Sequence, residues 1–161
     1  MIISKLIGGV LITVCALKIY AEIQKFQKKS IKQIDSFIEL IDYIKNQIEC
    51  FLLPIDTIMF NCDNKLLLNC GIQRDITNCN NLKNLFSRVT FYCNDETIDI
   101  IMKFADSFGK NYSREQVIAC EYYKNELIKI REKELEKDRK NKKLQLAIFL
   151  SISFSIIILL L

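Results

Sequence analysis

Between residues 34 and 51, apolar side chains recur in alternating steps of three and four: Ile34, Phe37, Ile41, Ile44, Ile48 and Phe51. Those steps track the helical turn, so the six predict an apolar seam along one face of a helix. Ile31 and Ile38 widen the stripe into a face for globular packing, broader than a strict two-helix coiled coil. Lys32, Asp35, Glu39, Asp42 and Asn46 fall on the opposite face. Pro54, the single proline of the chain, ends this helix or opens the next. It brings no N–H, and it disfavours helix at the residue before it.

Further along the pattern is shorter. Ile55, Ile58 and Met59 predict one short helix, and Leu82, Leu85, Phe86 and Val89 another. Asp63 with Asn64, and the Asn-Cys-Asn-Asn of 78–81, read as breaks or caps. Asn94 and Asp95 cap a helix whose seam is Ile98, Ile101, Ala105 and Phe108. Gly109 follows where a left-handed residue stops a helix. Ser113-Arg114-Glu115-Gln116 has the form of a capping box, and the helix it opens carries Cys120, Tyr123, Leu127 and Ile130 in step. Beyond Ile130 the seam fades into REKELEKDRKNKK (131–143), where Leu135 is the only large apolar residue.

Two runs have no polar face at all. Residues 144–161, LQLAIFLSISFSIIILLL, hold no charge and no proline. As a helix they reach about 27 Å, close to the hydrocarbon thickness of a bilayer. The second run, LIGGVLITVCAL (6–17), extends to a marginal span if Ile2 and Ile3 join it and Lys5 snorkels outward. Its Gly8-Gly9 pair permits a close helix contact. The predicted organisation is all-α: a transmembrane helix at 1–20, a helical bundle of about six helices at 21–143, and a transmembrane helix at 144–161.

Composition and charge sharpen this picture. Only four glycines accompany the one proline in 161 residues, which argues for helices joined by short polar connections. The net charge of +4 is small and mixed, unlike a nucleic-acid footprint. Its location is more telling. Lys18, Lys25, Lys28, Lys29 and Lys32 follow the first run, and Lys133, Lys137, Arg139, Lys140, Lys142 and Lys143 precede the second. The positive-inside bias therefore places the bundle in the cytoplasm from both ends. Arg139, Lys140, Lys142 and Lys143 also suit a basic collar on anionic headgroups. The same lysines after the first run oppose its reading as an export signal. LITVC has Val14 where a lipoprotein box needs a small residue, so lipoprotein attachment at Cys15 stays a minor alternative.

Chemistry is sparse. The chain has no histidine, which removes the commonest general base and the Ser-His and Cys-His pairs. There is no phosphate-binding glycine loop. The seven cysteines show no CxxC spacing and read as small core residues, neither a zinc site nor a disulfide framework. Glu134 and Asp138 sit at helical spacing in a charge-dense stretch and read as solvent-facing. No active site, metal or cofactor is expected.

Several short matches fall in order along the chain. They are KLIGGVLI (5–12), a long amphipathic helix ending in QIECFLLP (47–54), and F-x3-F-G-x3-S-R-E-Q (104–116). The last holds Phe104, Phe108, Gly109, Ser113, Arg114, Glu115 and Gln116. With the charged helix and terminal IIILLL (156–161), the layout resembles the stage III sporulation protein AB family of endospore-forming Firmicutes. Where the family usually has Leu-Gly and a threonine before the proline, this chain has Phe108-Gly109 and Leu53, and residues 61–93 match poorly. The resemblance implies a component of the mother-cell membrane around the forespore, within the channel between the two cells. It also implies a cytoplasmic domain similar to the inner-membrane platform protein of type II secretion, docking a secretion-type ATPase, stage III sporulation protein AA. Two spans cannot line a wide pore, so a conduit needs other membrane subunits or self-association. The alternative is a membrane-anchored adaptor or regulator of a soluble partner unrelated to secretion.

Overall fold

A computed structural model describes the backbone of residues 2–73, 81–108 and 113–160. Within the helices, the side chains at 2–7, 9, 10, 12, 113, 150, 153, 154, 157, 159 and 160 lie outside that description. The described residues form six helices and no strand: α1 Ile2–Phe51, α2 Ile55–Asn61, α3 Asn64–Cys70, α4 Leu82–Phe86, α5 Asp95–Ser107 and α6 Ser113–Leu160. The fold is all-α, as the periodicity predicts. The flanking segments are not separate elements, because α1 and α6 run through them without a break.

The chain divides into two compact units, residues 1–28 with 134–161, and residues 29–133. Among the described residues no helix is long and apolar enough to cross a membrane. Both uncharged runs of the sequence include side chains outside the described set.

The core of the 29–133 unit is built on the α1 seam. Ile34, Phe37, Ile41, Ile44 and Ile48 are buried, together with Leu40, which the three-four reading passes over. Phe37 meets Phe86 edge-on at 5.4 Å and stacks on Phe91 at 5.8 Å. Ile101, Phe104 and Ala105 come from α5, and Cys120 and Leu127 from α6. Phe51 is the exception to the seam: it is 65% exposed. The helix ends there, so its last turn has lost the partners that cover the preceding turns.

Side-chain oxygens set the short helices. Asp63 accepts from Lys65 N–H at 2.9 Å to start α3, and Asn81 from Lys83 N–H at 2.8 Å to start α4. Asn94 accepts from Thr97 N–H at 2.9 Å to start α5. Each satisfies one of the helix's orphan donors. α3 was not predicted, since seven residues hold too few turns to show a period. α4 stops before Val89, which is buried from a turn instead. α3 ends on Gly71 at φ 88, where a Cβ would meet Val89 Cγ1 at 3.1 Å and Thr90 O at 3.3 Å. Only glycine tolerates both the left-handed backbone and the close approach.

Two sets of polar side chains fix α1 in this unit. Gln33, almost wholly buried, donates to Cys70 O at 2.9 Å and Thr90 O at 3.0 Å and accepts from Tyr92 N–H at 2.7 Å. One amide thus joins α1 to the end of α3 and to the 90–92 segment. On the face predicted to be polar, Asp35 pairs with Arg131, and Asp42 with Lys124 at 2.7 Å, while Lys45 pairs with Glu121. The Lys45 hydrogen bond is the main cause holding the Glu121 carboxyl below its ordinary value. Such partly exposed pairs add little stability each.

Candidate functional site

Within the 1–28/134–161 unit two polar side chains are covered while several large apolar ones are exposed. Gln24 and Asp138 are buried, at 9% and 8% exposure. Gln24 Nε2 donates to Gln145 Oε1 at 3.4 Å, and Tyr20 meets Phe149 edge-on at 5.7 Å. Among the described residues, buried oxygens on Gln24, Gln27 and Asp138 have no hydrogen-bond partner. The large apolar side chains point outward instead: Leu11, Leu17, Ile19 and Phe26 on α1, and Leu144, Leu146, Ile148, Ile152 and Ile158 on α6. In water this arrangement exposes what should be hidden. Asp138, predicted to face solvent, is a correction: one of its oxygens takes Lys142, and the helix pair covers the rest.

The predicted basic collar is split by ion pairing. Lys140 binds Glu136 at 2.8 Å and Lys142 binds Asp138, whereas Arg139 and Lys143 are exposed with no ion pair among the described residues. Gly8 shows no close contact, because a Cβ built there meets nothing within 4 Å.

The second feature belongs to the 29–133 unit. A pocket of about 280 Å³ is lined by Ile48, Leu52, Leu53, Pro54, Ile55, Phe108 and Gln116. Residues 48–55 meet Phe108 and Gln116 in it. Leu52 N–H still bonds Ile48 O at 3.1 Å, so Leu52 closes α1 in the left-handed conformation at φ 53. That position normally takes glycine, and a leucine there costs about 1–2 kcal/mol. Leu52 is nevertheless 70% exposed.

Phe104 is core, in edge contact with Phe108 and Tyr123, each at 5.8 Å. Arg114 and Glu115 are exposed, and Gln116 lines the pocket. Gly109 and the Ser113 side chain lie outside the described residues, and α5 ends on Phe108 in an extended conformation. Leu52 is the one lining residue that sequence reasoning did not single out by itself. The available signal was the apolar triplet 51–53 before Pro54, since a helix that stops there cannot bury all three.

No family model, curated protein or solved structure matches the chain.

Three of the described cysteines are core residues. Cys62, Cys70 and Cys120 are buried, and burial pushes the Cys62 thiol up to about 11 and the Cys120 thiol up to about 12. Burial likewise raises Cys70. Such thiols stay protonated and behave as small apolar residues. Cys15 and Cys50 are exposed, and Cys79 is outside the described residues. Among the described residues no cluster of three or more His, Cys, Asp or Glu side chains is placed to hold a metal.

Proposed function

We propose that the chain is a non-enzymatic membrane platform of the stage III sporulation protein AB type. Residues 1–20 and 144–161 anchor it in the mother-cell membrane around the forespore, and the 29–133 unit docks a secretion-type ATPase from the cytoplasmic side. Other membrane subunits complete the channel. The observation that carries the reading is the outward apolar surface of those two segments, with Leu11, Leu17, Ile148 and Ile152 exposed. A bilayer is the solvent in which such outward apolar side chains cost least. Exposed Arg139 and Lys143 suit the headgroup layer, at about 1 kcal/mol for each well-placed cation.

Single-cysteine reporters at Ser30, Asn141 and Leu161, in a background without native cysteines, test the topology in intact cells. An impermeant thiol reagent should label the third and spare the first two. Labelling of Ser30 and Asn141 would put the bundle outside and end the platform reading. The ATPase should then collect on membranes only when this chain is present, and its failure to do so in sporulating cells would leave an adaptor of another partner.

A further inference from the structure

Two contacts set the register of α1 against α6 in the 1–28/134–161 unit. Tyr20 meets Phe149 at 5.7 Å, and Gln24 donates to Gln145 at 3.4 Å. Four residues forward on α1 are four residues back on α6, so the helices run antiparallel and in step. Two residues before Tyr20, Lys18 therefore stands level with Ser151. The same register lays residues 18–25, KIYAEIQK, beside 144–151, the first half of the uncharged C-terminal run. The two apolar runs are thus staggered: 6–17 stops at the level where 144–161 is only half complete.

The stagger fixes the depth of a charge. Along the helix axis Lys18 falls about 2 Å from the middle of the 144–161 run, about 12 Å from the level of Lys143 and about 15 Å from the end of the run. A crossing by 144–161 therefore carries Lys18 to mid-bilayer. Its side chain is too short to cover 12 Å, and helical side chains lean toward the N-terminus, here away from the cytoplasmic headgroups. Lys18 is exposed and in no ion pair among the described residues. Glu22, one turn away on α1, is held by Lys25 at 2.7 Å. An ammonium at that depth is stable where protein covers it and a counter-charge meets it. A second copy of the chain brings no such charge: about a twofold axis along the membrane normal, both Lys18 residues stand at one depth, cation against cation. We infer that the Lys18 face of α1 docks a membrane-spanning helix of another subunit, one that brings an Asp or Glu to mid-bilayer. Leu11, Val14 and Cys15, exposed one and two turns from Lys18 on the same face, give that helix an apolar seat. The inference rests on 144–161 spanning the membrane and names the chemistry by which the chain meets its fellow subunits.

The test uses the full chain in zwitterionic vesicles and two Leu/Ala membrane-spanning peptides of about 20 residues, one with a central Asp, the other with a central Asn. Energy transfer between labelled chain and labelled peptide should give about tenfold or more tighter association of the Asp peptide. Lys18→Met should reduce the Asp peptide to the level of the Asn peptide, and Lys18→Arg should keep the preference, the melting of the 29–133 unit being unchanged in both. Bimane on Ser151→Cys, in a background without native cysteines, should be quenched most by lipids brominated at the ends of their acyl chains. Equal association of the two peptides, a preference that survives Lys18→Met, or strongest quenching by bromines near the headgroups overturns the inference. Energy transfer between two copies of the chain that is lost in Lys18→Met would assign the face to a second copy and overturn it as well. A labelled Leu161 reporter with no preference for Asp would leave the anchors standing and remove the docking face. Preference for Asp without ATPase recruitment in sporulating cells would keep the docking face and remove the platform.

Discussion

The same two helices behave in opposite ways in the two units of the chain. In residues 29–133, α1 turns Ile34, Phe37, Ile41 and Ile44 inward and its charges outward. In residues 1–28 and 134–161, α1 and α6 turn Gln24 and Asp138 inward and Leu17, Ile148 and Ile152 outward. The covered positions keep their three-four step from Tyr20 through Gln24, Gln27 and Ile31 to Ile34, so the face of α1 is unchanged and what differs is the kind of residue on it.

The sharpest way to break the contrast is to place the same charge on both kinds of face. Ile44→Asp buries an unpaired carboxylate in the core and should cost more than about 4 kcal/mol, read as loss of cooperative unfolding by circular dichroism. Ile152→Asp should leave the melting of the 29–133 unit unchanged. Its effect is on insertion, about 3 kcal/mol, seen as chain released from membranes by alkaline carbonate. If Ile152→Asp unfolds the bundle and stays in the membrane, the contrast is wrong.

A smaller effect is expected at the polar exception inside the apolar unit. Gln33→Leu leaves Cys70 O, Thr90 O and Tyr92 N–H without their partner, at a cost of about 2–3 kcal/mol in denaturant unfolding. Gln24→Leu, in the 1–28/134–161 unit, removes an amide whose oxygen already has no partner and should cost less.

The weakest expected effect is on pH. The Cys62 thiol is raised from 9.0 to about 11 in the folded chain by burial first and by Asp63 second. Stability from this group is therefore complete below pH 9 and drains away as pH rises through 11. Cys62→Ala should melt with a shallower decline between those values, measured by thermal scans at stepped pH.

Much of the bundle is legible in the sequence because its long helices repeat. Five of the six α1 seam residues are buried, and Asn94 caps α5 as its position predicts. What escaped was decided by partners far away in the chain. Phe51 continues the period but not the packing, since the helix stops beneath it. Gln33 is indistinguishable by pattern from a solvated glutamine until Cys70, Thr90 and Tyr92 surround it. The pocket needs two segments over fifty residues apart to meet, and no local pattern reports that meeting. Asp138 looked like one charge in a solvated run, and its burial depends on the α1/α6 pairing.

The alternating pairs between α1 and α6 have a mechanical consequence. Asp35–Arg131, Asp42–Lys124 and Lys45–Glu121 run antiparallel, so each step up one helix is a step down the other. Sliding α6 by one turn in one direction brings Lys124 toward Lys45, and in the other direction brings Glu121 toward Asp42. Both moves replace attraction by repulsion. The pairs add to the packed seam of Ile34, Phe37, Ile41 and Ile44 in favouring one register of α1 against α6.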